Sequence, residues 1–199
     1  MHPSAHRDRS RTLAARTLSI VGHPALLMPA AVAAGAAGAG ASPRLLQVAL
    51  STAAAVAVIV GMYSLWQVRA GSWAHVDASH PRERRQLNLF LAALLGGAAV
   101  LLWAMGQPMP VVSGPLLAAL LVLLAHLLRR WLKVSLHAAF AAFAAALVWP
   151  HLGLTPTFVA LAAGVAWSRL VLRRHTLAEV LLGLLLGAAF GAAFRLLVV

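Results

Sequence analysis

Long uncharged runs, each closed by Arg, Pro or Gly, recur along almost the whole chain. An α-helix needs roughly 20 apolar residues to cross about 30 Å of hydrocarbon. Seven runs approach that length: residues 18–40, 45–68, 87–105, 111–128, 136–149, 154–170 and 177–198. The fifth is too short to span without help from its neighbours. Trp66, Trp73, Trp103, Trp131, Trp149 and Trp167 lie at or near the ends of these runs, where an aromatic belt at headgroup level would place them. The pattern predicts an all-α integral membrane protein, a six- to seven-helix bundle with its active site at one membrane face. Residues 1–16 form a basic N-terminal tail, and residues 17–199 form a single transmembrane domain.

Short connectors set neighbouring helices antiparallel. Residues 41–44, 106–110 and 150–153 are turn sequences rich in Pro and Gly, and parity puts all three on one side. The other side receives the tail and the stretches 69–86, 129–135 and 168–176. Fourteen of the sixteen Lys and Arg residues fall on that second side, leaving only Arg44 and Arg195 opposite. The positive-inside rule therefore predicts a multi-pass protein of the cytoplasmic membrane whose charged face is cytoplasmic. The apolar run after Arg16 exceeds the 7–15 residues of a signal h-region, so the first segment is expected to be an anchor.

Composition sharpens this picture. With 62% hydrophobic and 10% charged residues and a mean hydropathy of +0.87, the chain lies far from the usual soluble balance of about 45–50% and 25%. A net charge of +12 invites a nucleic-acid reading, but basic residues flanking apolar spans explain it without a polyanionic partner. The absence of cysteine excludes disulfides, thiolate metal sites and cysteine nucleophiles.

Acidic residues are so scarce that their positions carry information. Besides Asp8 they are Asp77, Glu83 and Glu179, all three in or beside the basic connectors. If a helix begins near His175, then His175 and Glu179 share one helical face, where a carboxylate can accept from one imidazole nitrogen and leave the other free. Arg169 offers a bidentate donor for phosphate oxygens, and a helix N-terminus adds its positive dipole end. Read from spacing alone, the same arginines also serve as topology charges and His175 as an interface residue. Glu83 reads as a local salt-bridge partner rather than a catalytic acid. His75 and His80 read as surface residues, and His23 and His126 as histidines hydrogen-bonded inside the bundle.

The order Ser168-Arg169, five residues, His175, three residues, Glu179 resembles the third signature motif of the type 2 phosphatidic acid phosphatase superfamily, with Glu in place of the final Asp. The second motif, Pro-Ser-Gly-His, is matched by Val134-Ser135-Leu136-His137, keeping only Ser and His. The first, Lys, six residues, Arg-Pro, is matched by Asp77 through Arg84-Arg85, keeping only the first arginine. The matches come in family order, span roughly half the chain and fall on one face.

The resemblance implies a metal-independent lipid phosphate phosphatase with no cofactor. His175 would attack phosphorus to form a phosphohistidine, Glu179 would steady it, and His137 would protonate the leaving group. Arg84, Arg169, Ser135, Lys133 and Arg82 would hold the phosphoryl oxygens, with Arg82 or Arg85 filling the lysine's role or Asp77 positioning those arginines. The expected partner is an amphiphilic phosphorylated lipid, a prenyl phosphate, prenyl diphosphate or phosphatidate, drawn from the surrounding membrane lipids. The competing expectation is a non-hydrolytic anionic-lipid binder or small transporter using the basic face for headgroups.

Overall fold

The computed structural model describes the backbone of residues 3–78, 80–151 and 153–198, and the side chains within them from residue 9 onward. The side chains of Arg7 and Asp8, counted above with the tail, lie outside the described residues. Eight helices follow one another: α1 (Pro3–Val21), α2 (Pro24–Gly38), α3 (Pro43–Arg69), α4 (Pro81–Ala104), α5 (Met109–Leu128), α6 (Leu136–Val148), α7 (Thr155–Val171) and α8 (Leu177–Val198). Among the described residues there is no strand. Helices α3, α4, α5 and α8 are long and apolar enough to cross a membrane. The shorter apolar α6 and α7 complete an all-α membrane protein.

Local sequence explains the boundaries. Proline opens α2, α3 and α4, where its fixed φ suits the first turn and its missing N–H costs nothing. Gly40 and Gly106, at φ 64° and 68°, end α2 and α4 in the left-handed conformation that glycine adopts without strain. Helix α4 starts six residues before the apolar run does, because Glu83 accepts from the His80 backbone N–H and caps a polar first turn.

The first apolar run, 18–40, is not one helix. The tail from Pro3 onward is helical and continues to Val21, after which the chain breaks at Gly22–His23 and bends by 56° into α2. Pro24 has no N–H and pushes His23 out of helical conformation, to φ −63° and ψ 133°. Gly22 is required at the break, since a Cβ there would lie 2.1 Å from Val165 Cγ2 of α7. Only taken together is the bent α1–α2 pair long and apolar enough to cross a membrane, as one broken span or a re-entrant loop.

Helix α6 is the hub. Ala138, Ala139, Ala141, Phe143 and Ala144 are fully buried, and α6 packs on α2, α7 and, most extensively, α8. Its alanines face Gly183, Gly187 and Gly191, one helical turn apart along α8. Without solvent to drive helices together, small residues that let backbones touch are what membrane bundles use for tight packing. Helix α3 by contrast stands at the periphery, its membrane-length stretch unburied. Trp73 departs from the aromatic belt: it is buried in the α3–α4 connector and donates from Nε1 to Gln86 Oε1 at 2.8 Å.

Candidate functional site

The basic connectors meet through a short chain of polar contacts. Arg169, near the end of α7, donates from an Nη to Ser19 Oγ of α1 at 2.8 Å. Arg174, beyond α7, pairs with Asp77 of the α3–α4 connector at 3.0 Å. Lys133, before α6, donates to the Arg174 backbone carbonyl at 2.7 Å. The α1 end and two connectors far apart in sequence are thus tied to the segment 169–174.

Glu83 holds the connector carrying Asp77. It is buried and accepts from the backbone N–H groups of Ala74 at 2.9 Å and His80 at 3.0 Å, so it organises a loop and a helix start. Asp77 in turn holds Arg174, not Arg82 or Arg85. Among the described residues, the two other than glycine with positive φ, Ala78 at 48° and Arg173 at 52°, are each adjacent to a member of the Asp77–Arg174 pair. Such left-handed residues cost about 1–2 kcal/mol each. Strain of that kind persists where surrounding contacts over-determine the backbone.

His175 lies between α7 and α8, and its Nδ1 is 3.0 Å from Glu179 Oε2. The same carboxylate oxygen accepts from the Thr176 backbone N–H at 3.0 Å, and the Glu179 N–H meets Thr176 Oγ1 at 3.4 Å, which is a capping box. The longer side chain of Glu, relative to Asp, allows one carboxylate to close the α8 N-terminus and hold the imidazole together. Burial first, then the charges of Lys133 and Arg169, pushes the His175 imidazole down to about 4, with the Glu179 hydrogen bond and charge opposing. His175 is therefore neutral at pH 7. Burial and the nearby Arg84 also hold the Lys133 ammonium below its ordinary range.

These groups open onto a cavity of 580 Å³, a volume within the roughly 300–1,000 Å³ of small-molecule sites. Its polar end is lined by His23, Asp77, Arg84, His137, Arg169 and His175. From there it continues past one face of α3, including Ala49, Thr52, Val56 and Val60, and past Leu91, Leu95 and Phe140, to Pro110 and Arg195 at the far end. Between the two ends the wall is almost wholly apolar. Arg169 is buried, and its Nε has no hydrogen-bond partner within the protein. Its Nη is held by Ser19, so the guanidinium is fixed in place at the cavity wall.

The cavity gathers five of the sequence-derived candidates, His137, His175, Arg84 and Arg169 in its wall, and Glu179 behind His175. It leaves three outside. Arg82 is exposed on the first turn of α4 and does not line the cavity. Lys133 is engaged by the Arg174 carbonyl and acts on His175 through its charge. Ser135 is fully buried, its N–H donates to the Glu179 carbonyl at 3.2 Å, and its Oγ finds no partner and does not reach the cavity. Sequence reasoning missed Ser19 and Arg174 as structural partners; His23, expected to be hydrogen-bonded inside the bundle, accepts from the Ala25 N–H and also lines the cavity. His126 is buried, but its Nδ1 has no hydrogen-bond partner. Among the described residues no three His, Asp or Glu side chains are grouped to share a metal ion.

No protein-family model matches the chain, and neither the curated proteins nor the solved structures compared with it yield a match. The functional reading rests on the geometry.

Proposed function

We propose that the protein is a phosphatase of an amphiphilic phosphate ester, working through a phosphohistidine at His175. The observation that carries this reading is the His175–Glu179 pair at 3.0 Å, set with Arg84 and Arg169 at the polar end of an otherwise apolar cavity. A headgroup and a hydrocarbon chain have complementary places in one continuous space.

The chemistry follows from the positions. With the Nδ1 proton directed at Glu179, Nε2 carries the lone pair and attacks phosphorus as the bond to the lipid oxygen breaks. His137, entering as the imidazolium, gives a proton to that departing oxygen and becomes neutral, and the lipid alcohol leaves. Water then attacks phosphorus and displaces Nε2 while neutral His137 takes up the water proton, releasing phosphate and regenerating both histidines. Arg84 and Arg169 neutralise the phosphoryl oxygens, and in a partly dried site such donors stabilise the transition state more than they would in water.

The deciding experiment is phosphate release by the detergent-purified protein from undecaprenyl diphosphate, phosphatidate and a water-soluble aryl phosphate, with EDTA present. EDTA-resistant release from a lipid substrate is the expected result, because arginines supply the positive charge that a divalent ion would otherwise bring. No release by folded protein would overturn the enzyme reading. The alternative, a non-hydrolytic binder of anionic lipids or a small transporter, is favoured by one observation: Asp77 stands where the resembling motif has a cation, and it engages Arg174.

We infer a site on the cytoplasmic side of the inner membrane; the basic face, with fourteen of sixteen Lys and Arg, supports this reading. Ser72 is exposed in the α3–α4 connector, and the chain has no native cysteine. A cysteine introduced there is expected to resist a membrane-impermeant maleimide in intact cells and to react after lysis. Labelling of intact cells would put the site on the outer face.

A further inference from the structure

The break between α1 and α2 delivers a residue that the mechanism above leaves unused. His23 is the N-cap of α2, and its Nδ1 accepts from the Ala25 backbone N–H at 3.2 Å. An imidazole nitrogen that accepts carries no proton, so the neutral ring carries its proton on Nε2. The cap thus fixes both the orientation and the tautomer of the ring. The ring meets His137 edge-on, with centroids 5.0 Å apart and planes at 83°. It lines the same polar end of the cavity as Arg84, Arg169 and His175.

Two features make this end of the cavity suited to an anion. Arg84 and Arg169 bring two guanidinium groups to its wall. The α2 N-terminus, whose first turn His23 caps, brings its positive dipole end to the wall of the cavity. The Gly22-His23-Pro24 break, made possible by the absence of a Cβ at Gly22 against Val165, is what holds it at the level of His137.

We propose that His23 is a third histidine of the phosphate site, donating from Nε2 to a phosphoryl oxygen of the bound ester and of inorganic phosphate. This deepens the phosphatase reading and rests on it. His23 carries no covalent step; it binds the group that His175 attacks.

Two substitutions separate donation from capping. In His23→Ser a hydroxyl keeps the cap on α2 but the Nε2 donor is gone. In His23→Gln a terminal amide keeps a donor at comparable reach but makes a poor cap. The readouts are inorganic phosphate affinity, thermal stability, and KM and kcat for the lipid phosphate, all on the full-length protein in detergent. The serine variant is expected to melt close to wild type yet bind phosphate about tenfold more weakly, with the loss mainly in KM. The glutamine variant is expected to melt lower yet keep phosphate affinity within about threefold of wild type. Wild-type affinity in the serine variant, or affinities that simply follow stability in both, would overturn the assignment and leave His23 a cap. Failure of the wild type itself to bind phosphate or release it would sink the phosphatase reading along with this one.

Discussion

Alanine at His175 is expected to lower phosphate release from the lipid substrate by about 10⁴-fold or more, with helical content and phosphate binding retained. The size follows from what is lost. Without the Nε2 lone pair no covalent intermediate forms, and the remaining activity is direct attack by water on an ester still clamped by Arg84 and Arg169. Glu179→Gln is expected to do less, because the amide oxygen still accepts from Thr176 and only the charge beside the imidazole is removed. Single-turnover release with wild type and both variants distinguishes them. Release from His175→Ala within tenfold of wild type would rule out His175 as the nucleophile.

The pH dependence gives a second readout of the same residue. Because burial, Lys133 and Arg169 push the His175 imidazole down to about 4, the neutral nucleophile persists well into acid, and the acid limb of kcat/KM should fall well below 6.5. Removing Lys133, a lowering influence, as in Lys133→Met, should move that limb up. Removing the Glu179 charge, a raising influence, should move it down. The same shift is linked to stability. Below pH 6.5 the unfolded chain takes up a proton at this position that the folded chain refuses, so stability is lost as pH falls from there toward 4.

The apolar runs from residue 45 onward became helices to within a few residues, apart from the six-residue polar start of α4, because burial in lipid or in the bundle demands a long uncharged segment whatever the partner. The first run misled, since hydropathy averages across a break. The local signal was present in Gly22-His23-Pro24, whose proline cannot sit inside an unbroken helix. At the site, the His175–Glu179 contact was readable from the four-residue spacing, although His175 stands just before α8 and the capped first turn, not a shared helical face, brings the two together. The contacts of Asp77 with Arg174 and of Arg169 with Ser19 span 97 and 150 residues and depend on how the helices pack. No local pattern encodes them. Arg82 and Ser135 came from motif position alone, and position in a motif does not determine whether a side chain reaches the cavity wall.

The largest stability effect is expected on α8, at Gly187. A Cβ there would lie 2.0 Å from the Ala139 carbonyl oxygen and 2.9 Å from Ala142 Cβ, so the α6 backbone itself would have to move. Gly187→Val is expected to cost about 3 kcal/mol or more, which for a chain of this size is roughly 10 °C in Tm. The consequence reaches the site because α6 and α8 also carry its parts. His137 begins α6, Glu179 begins α8, and Ser135 N–H to the Glu179 carbonyl ties the two starts together. At Gly183 a Cβ would lie 2.6 Å from the Ser135 carbonyl, and at Gly191 it would lie 2.2 Å from Ala146 Cβ, two turns of helix further from the site. Both Gly183→Ala and Gly191→Ala should lower Tm, but only the first should wedge His137 away from His175 and depress kcat in the protein that remains folded. Thermal melts beside phosphate-release rates test this directly. Equal loss of kcat in the two variants would mean that the α6–α8 contact supports the fold alone, without setting the spacing of the two histidines.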